Sequence, residues 1–242
     1  MLYTVQNIED KSSRVRLLRL AASGGAPPME YQAGQYARLG FADFDPRPFS
    51  IAGPPGGQTL DFLVTRGGNG VRDYATNSLV IGEKVEVDGP FGDMTRQPDD
   101  TTPIVMIAGG SGIAPIRLLI EEYLSGDFTQ PVLLYYGVRS MDEIIDLPAL
   151  DEMAKTSRNF SHHVILSDTP DPGGIYRTGF LGDAVREDFE DLSGHRVFIS
   201  GPPPMIRSVL PDLAALGLPA EKLHTDRENL DSADLEVLTR TG

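Results

Sequence analysis

Pro103-Ile104-Val105-Met106-Ile107-Ala108-Gly109-Gly110-Ser111-Gly112-Ile113-Ala114-Pro115 decides how the second half of this chain folds. Pro103 to Ala108 is an unbroken apolar run, the pattern of a strand covered on both faces. A glycine-rich turn follows, and a helix fits Ile113 to Leu124. Strand, glycine turn and helix in that order make a phosphate cradle. Glycine lets the backbone turn sharply and come close to a pyrophosphate, while the helix start offers N–H groups and a partial positive charge. Ser111 stands where it would cap the helix, and Pro115 falls in the first turn, where a missing N–H costs little. The expected dinucleotide contacts are Gly109, Gly110, Ser111, Gly112, Ile113 and Ala114. Two departures from the full dinucleotide fingerprint stand out. Pro115 takes the place of the third glycine, and Gly137-Val138-Arg139-Ser140 occupies the point where an acidic residue is expected after the second strand. On these residues alone, a plain strand-to-helix turn is an equal reading.

Downstream, apolar strands and amphipathic helices alternate. Strands are expected at Val132 to Val138, His163 to Leu166 and Arg196 to Ile199, with helices near Leu147 to Ala154, Gly179 to Phe189 and Pro203 to Leu216. Such alternation means a parallel sheet with helices on both faces. Upstream the pattern is different. Leu2 to Ile8, Arg14 to Ala21, Gly34 to Phe41, Pro48 to Ala52, Leu60 to Arg66 and Lys84 to Val87 read as six short strands, most of them separated by Gly, Pro and Asp. Only a short helical stretch, Val71 to Leu79, interrupts them. A small antiparallel barrel or sandwich is expected there. The polar stretch Thr95 to Thr102 reads as the linker, so the expected domains are residues 1–98 and 99–242.

At 242 residues the chain has room for one large or two smaller domains. It contains no cysteine, which excludes a disulfide framework, a zinc–thiolate site and a cysteine-ligated iron–sulfur cluster within these residues. The N-terminal residues lack a charged segment followed by an apolar one, and no apolar run is long enough to span a bilayer. A soluble cytoplasmic protein, with no membrane partner, is the expectation. The formal net charge of −14 is unevenly placed: 10 Lys and Arg face 11 Asp and Glu over residues 1–98, but 11 face 24 over residues 99–242. So acidic a balance argues against a nucleic-acid partner. It serves solubility, or steers a basic partner onto the second half.

Asp45-Pro46-Arg47-Pro48-Phe49-Ser50-Ile51-Ala52-Gly53-Pro54-Pro55 is the second informative segment. Arg47 suits a phosphate, Phe49 a flat ring and Ser50 a ring nitrogen. By themselves these residues favour an edge strand with a surface arginine and a core aromatic.

The order of segments along the chain, however, resembles the ferredoxin–NADP reductase superfamily, and especially its short flavin reductases and oxygenase-reductase modules. Arg47 to Ser50 matches the family's Arg-x-aromatic-Ser flavin motif, and Ala33-Gly34-Gln35-Tyr36 resembles the approach to it. Gly89-Pro90-Phe91-Gly92 resembles the family's exit from the barrel. Gly109 to Pro115, Tyr136 to Ser140 and Ser200-Gly201-Pro202-Pro203-Pro204-Met205 resemble the three nucleotide-domain signatures in order. The resemblance runs to about Glu228. It implies a six-stranded antiparallel flavin-binding barrel followed by a parallel-sheet dinucleotide domain, with hydride passing from nicotinamide C4 to flavin N5 in the cleft between them. Under it, Arg47 with Pro48 holds a flavin phosphate, Phe49 packs on the ring and Ser50 bonds near N5. Leu63, Val64 and Thr65 line the ring edge, and Asn69, Gly70, Val71 and Arg72 present N–H groups to the phosphate. Gly201, Pro202, Pro203 and Met205 lie beneath the nicotinamide and pyrophosphate, with Ser200 against the ring. The implied flavin is FAD, with FMN the alternative, and the electron donor is NADH or NADPH.

Three departures from the family pattern bear on function. Arg72 stands where many relatives have Ser or Thr, and either strengthens phosphate binding or points to solvent. Ser200 replaces a cysteine that many relatives place against the nicotinamide, so slower hydride transfer is expected. No aromatic residue follows Phe198, so the flavin face is expected to be open, with Asp226 or Glu228 as the nearby acid. Arg139 and Ser140 suit a 2′-phosphate, but Asp142 and Glu143 would repel it, which tips the expectation to NADH. Adjacent His162 and His163 face opposite ways on a strand and make no metal pair. Glu121-Glu122 reads as a solvated helix face, and Ser111 lacks a triad partner. The expected activity is a flavoprotein oxidoreductase that serves a separate redox protein. The alternatives are a free-flavin reductase and a flavin-binding subunit of a larger complex.

Overall fold

A computed structural model describes residues 1–41, 44–68, 70–97, 101–171, 173–225 and 234. The chain divides into two compact units, Met1–Thr95 and Arg96–Gly242.

The first unit is a single antiparallel sheet of six strands. They are β1 (Leu2–Asp10), β2 (Val15–Ala22), β3 (Tyr36–Gly40), β4 (Arg47–Ser50), β5 (Thr59–Thr65) and β6 (Lys84–Phe91), in the order β4-β3-β6-β1-β2-β5. The sheet closes where Ile51, just past β4, bridges to Phe62 of β5, and the Ala52 N–H donates to the Asp61 carbonyl at 2.7 Å. Strand alternation fills the interior: Ala37 and Leu39 of β3, and Leu60, Phe62 and Val64 of β5, are core residues, while Leu63 and Thr65 keep partial exposure. A bidentate pair between Arg19 of β2 and Asp61 of β5, at 2.8 and 2.7 Å, braces the outer face. The short helix α1 (Val71–Asp73) runs into a wide π-helical turn, Tyr74–Ser78. The Arg16 guanidinium of β2 donates to the Thr76 carbonyl and ties that segment to the sheet.

The second unit is a parallel sheet. It contains β7 (Ile104–Gly109), α2 (Ile113–Leu124), β8 (Val132–Val138), α3 (Leu147–Thr156), β9 (Phe160–Leu166), β10 (Arg177–Thr178), α4 (Leu181–Asp188), β11 (Arg196–Ser200), α5 (Pro203–Ala215) and β12 (Leu223–Thr225). Strand order is β10-β9-β8-β7-β11-β12. The edge strands β10 and β12 were not expected; at two and three residues they are too short to carry a period. Both faces are covered. Val197 and Ile199 share a core with α4 and α5, while Phe198 between them meets Tyr123 of α2, ring centroids 5.9 Å apart. The adjacent histidines of β9 diverge in the same way. His162 Nε2 lies 3.0 Å from Asp151 of α3, and His163 packs against Tyr135, whose hydroxyl donates to Asp188 of α4 at 2.7 Å.

One helix face differs from expectation. Glu121 pairs with Arg117, but Glu122 is partly buried, and desolvation raises its carboxyl pKa. The Arg96 guanidinium carbon lies over the Tyr123 ring, 5.3 Å from its centroid, and the guanidinium donates to the Glu122 carbonyl at 2.9 Å. This end of α2 is therefore covered by the segment that enters the unit, a tertiary contact that a helical wheel does not reveal.

Candidate functional site

In the second unit the site is built on strand adjacency. β7 and β11 are parallel neighbours with Ala108 opposite Ser200, so the turns that leave both strands emerge side by side. That closeness dictates the glycines. A Cβ on Gly112 would stand 2.2 Å from the Ser200 carbonyl oxygen and 2.7 Å from the Gly201 nitrogen, both backbone atoms. A Cβ on Gly109 would stand 2.2 Å from Met205 Sδ and 3.2 Å from Pro202. Gly110 is the opposite case: φ is 53°, a left-handed conformation, and nothing lies within 4 Å of where its Cβ would be. The turn is locked on one side and open on the other.

Gly110–Gly112 forms a 3-10 turn, and α2 begins at Ile113. Ser111 therefore lies inside that turn rather than capping the helix; Gly112 occupies the cap position, and no side chain caps it. The amides of Gly110, Ser111 and Gly112 precede the helix ladder, whose start is marked by the Ile113 N–H bonding back to the Gly110 carbonyl. Ile113, Ala114 and Pro115 are buried, so they set the direction of α2 and leave the backbone before them to meet a ligand. Across the turn, Pro203 opens α5, Met205 is half-buried over Gly109 and Pro202 is exposed. Ser200 is 3% exposed.

β8 flanks β7 on its other side, Gly137 opposite Gly109. Arg139, just beyond β8, is exposed, and Ser140 opens a 3-10 turn, Met141–Glu143. The Ser140 hydroxyl donates to Asp142 Oδ1 at 2.5 Å. Gly109 to Ala114, Arg139 with Ser140, and Ser200 to Met205 thus share the carboxyl edge of one sheet, where open α/β sheets take their ligands. Met141, Ile175 and Phe180 are large, exposed apolar side chains in the loops after β8 and around β10. Sequence reasoning passed over them; their only signal was apolar residues outside any periodic segment.

In the first unit, the Ile51–Phe62 bridge sets β4 and β5 side by side in opposite directions. Ser50 precedes that bridge on one strand and Leu63 follows it on the other, so the two expected groups meet at the bridge. Ser50 and Pro48 are half-buried, and Arg47 is exposed. Phe49 lies in the barrel core, 7% exposed, so little of its ring is presented to a ligand. Val64 is likewise a core residue, leaving Leu63 and Thr65 as the outward side chains of the three. Past Thr65 the chain enters a glycine loop: Gly67, Gly68 and Gly70 have φ of 92°, 95° and 62°, with nothing within 4 Å of any added Cβ. Gly70 starts α1, where Val71 is buried and Arg72 exposed. Asn69, Asp226 and Glu228 lie outside the described residues.

Among the described residues, no three His, Asp or Glu side chains gather to hold a metal, and no helix is long and apolar enough to cross a membrane.

Residues 106–210 match the family model described as oxidoreductase NAD-binding domain. Over 224 residues the chain is 30% identical to the ferredoxin–NAD(P)(+) reductase component of a naphthalene 1,2-dioxygenase system from Pseudomonas putida, covering 92% of this chain and 67% of the relative. It is 32% identical over 231 residues to the reductase subunit of an aromatic O-demethylase from Amycolatopsis, covering 93% and 68%. The chain thus spans about two thirds of these relatives. Its fold matches a cytochrome P450 reductase from Amycolatopsis with a TM-score of 0.84 at 30% identity, over 93% of this chain and 68% of that one. A ferredoxin NADP+ reductase from Neisseria gonorrhoeae, solved with FAD and NADP, shares the fold with a TM-score of 0.78 at 18% identity, over 93% and 97%.

The glycine interlock is directly testable. Gly112→Ala forces a methyl group against fixed backbone and is expected to cost about 1–3 kcal/mol in urea unfolding. Gly194→Ala, where nothing lies within 4 Å of the added carbon, is expected to stay within about 0.5 kcal/mol of the parent. Equal effects at the two positions would contradict the interlock.

Proposed function

The chain belongs to the ferredoxin–NADP reductase superfamily, and from that premise we propose a flavoprotein oxidoreductase that takes hydride from NAD(P)H and passes electrons to a separate redox protein. The supporting observation is the edge at which the turns of β7 and β11 meet: an open left-handed glycine, three amides ahead of α2 and a proline–methionine floor in one place. A pyrophosphate is the ligand that suits such a cradle, because N–H groups recognise it without needing a cation. Gly109 to Ala114 hold the pyrophosphate, while Gly201, Pro202, Pro203 and Met205 support the nicotinamide end. NADH is the donor this reading favours.

The first unit fits a flavin on its own evidence. Ser50 and Arg47 stand three residues apart on β4, about 10 Å, with the positive-φ glycine loop beyond Thr65. Ser50 donates near the ring's N5, Leu63 and Thr65 line its edge, and Arg47 takes the phosphate together with Gly70, Val71 and Arg72. The flavin is FAD, by analogy with the family. Bound flavin supplies what no side chain here can, the uptake of a hydride and the onward passage of electrons. The protein holds and orients both partners, and the hydride step itself needs no side-chain acid.

A separate redox acceptor is favoured over free flavin because the relatives quoted above are named as reductase components. The test is NADH oxidation by purified protein that keeps its flavin through gel filtration. Ferricyanide is expected to sustain turnover without added flavin. Turnover only on adding free flavin would favour the free-flavin reading, and none under either condition would favour a subunit that is inactive alone.

Ser200 gives a second test. The resemblance to the family implies a cysteine at this point, where Ser200 is 3% exposed. Ser200→Cys is expected to speed flavin reduction by NADH in stopped-flow absorbance. An unchanged or slower rate would remove Ser200 from the account of the reaction.

A further inference from the structure

Asp10 ends β1 and stands directly opposite Arg16 of β2 in the antiparallel register. Opposite charges placed across such a pair attract. Asp10 Oδ1 accepts from Arg16 Nε at 2.9 Å and from Arg66 Nη2 at 2.5 Å. Arg66 is the residue just past β5, and its backbone N–H donates to the Arg14 carbonyl at 2.6 Å. Arg16 also uses Nη1, which donates to the Thr76 carbonyl in the π-helical turn. One carboxylate and one guanidinium therefore hold both ends of the stretch from Arg66 to Thr76.

That stretch is costly to order. Gly67, Gly68 and Gly70 all have positive φ and no side chain to pack, so fixing them loses more conformational entropy than fixing ordinary residues. At its far end, the last carbonyls of a helical turn have no amide ahead of them along the helix. Arg16 gives one of these carbonyls a charged donor. Thr76 is fully buried and carries the restraint back one turn: its hydroxyl donates to the Arg72 carbonyl at 2.8 Å. The Tyr74 N–H donates to the Gly70 carbonyl at 3.0 Å. A fixed Thr76 thus fixes the backbone around Gly70, Val71 and Arg72. The Arg16 side chain is 20% exposed, so its bonds are partly shielded from water, and its hydrogen bond holds the Asp10 carboxyl below the usual carboxylate range.

We infer that Arg16, oriented by Asp10, is a positioning residue for the flavin phosphate: the Asp10–Arg16–Arg66 cluster clasps the glycine loop at both ends and acts through its backbone. The inference rests on the flavin reading above, which gives the phosphate to Arg47, Gly70, Val71 and Arg72. It adds side chains on β1 and β2 that no motif in the sequence marks. The benefit is preorganisation, because a loop ordered before binding does not draw its ordering cost from the affinity.

The experiment is fluorescence-quenching titration of the full chain, stripped of flavin, with FAD, FMN and riboflavin. FMN and riboflavin differ only by the phosphate. Arg16→Ala is expected to weaken FAD and FMN by about tenfold, the worth of a charge-assisted hydrogen bond, and to leave riboflavin within about twofold. Arg16→Lys keeps the charge but cannot reach both acceptors with a fork, so it is expected to weaken FAD and FMN by about threefold, and it serves if the alanine variant fails to fold. Arg19→Ala breaks the bidentate pair with Asp61 elsewhere on the same sheet and is expected to leave all three affinities within about twofold. FAD and FMN affinities unmoved by both Arg16 variants, or an equal loss for riboflavin, or an equal loss in Arg19→Ala, would overturn the clasp. Failure of the parent to bind any of the three would overturn the flavin reading itself.

Discussion

The close approach of Gly112 to the Ser200 carbonyl, with Met205 folded over Gly109, is the constraint on which the ligand edge of the second unit depends. It follows from parallel pairing of β7 with β11. Two strands about 4.8 Å apart deliver their turns into the same small volume: a Cβ at Gly112 would strike fixed backbone, and one at Gly109 would have to displace the Met205 side chain. The turn is therefore rigid on its protein side. On its other side Gly110 is open, and the amides leading into α2 are presented there. Packing and the proposed ligand recognition fall on the same four residues, Gly109 to Gly112.

Charge alone would suggest the wrong ligand for this unit. Residues 99–242 carry 24 acidic against 11 basic side chains, yet the proposed ligand is an anion. Backbone amides and the dipole of α2 act locally, whereas the surface carboxylates are hydrated and screened beyond about 10 Å. The barrel unit is nearly neutral, and the groups proposed there for a phosphate are an exposed arginine, Arg47, and a positive-φ glycine loop.

Much of this was legible in the sequence. The apolar run from Pro103 and the alternation of the barrel strands gave both sheets, because burial imposes those periods directly. Ordered matches at Arg47 to Ser50, Gly109 to Ala114 and Ser200 to Met205 gave the segments proposed as the site. What escaped depends on contacts between elements distant in sequence. β10 and β12 exist only as additions to existing edges. Ser111 was displaced from its capping role because a 3-10 turn intervenes before α2. Glu122 is covered by the chain entering from Arg96. The Ser140–Asp142 bond needed the turn itself, although the two carboxylates after Ser140 had already pointed toward NADH.

The central claim is that one chain both binds a flavin and reduces it with a nicotinamide nucleotide. The most direct measurement is the visible absorbance of the purified, flavin-loaded protein during anaerobic titration with NADH. Stoichiometric loss of the oxidised-flavin band is the expected result. A band that persists under excess NADH and excess NADPH, in protein that retains its flavin, would contradict the account.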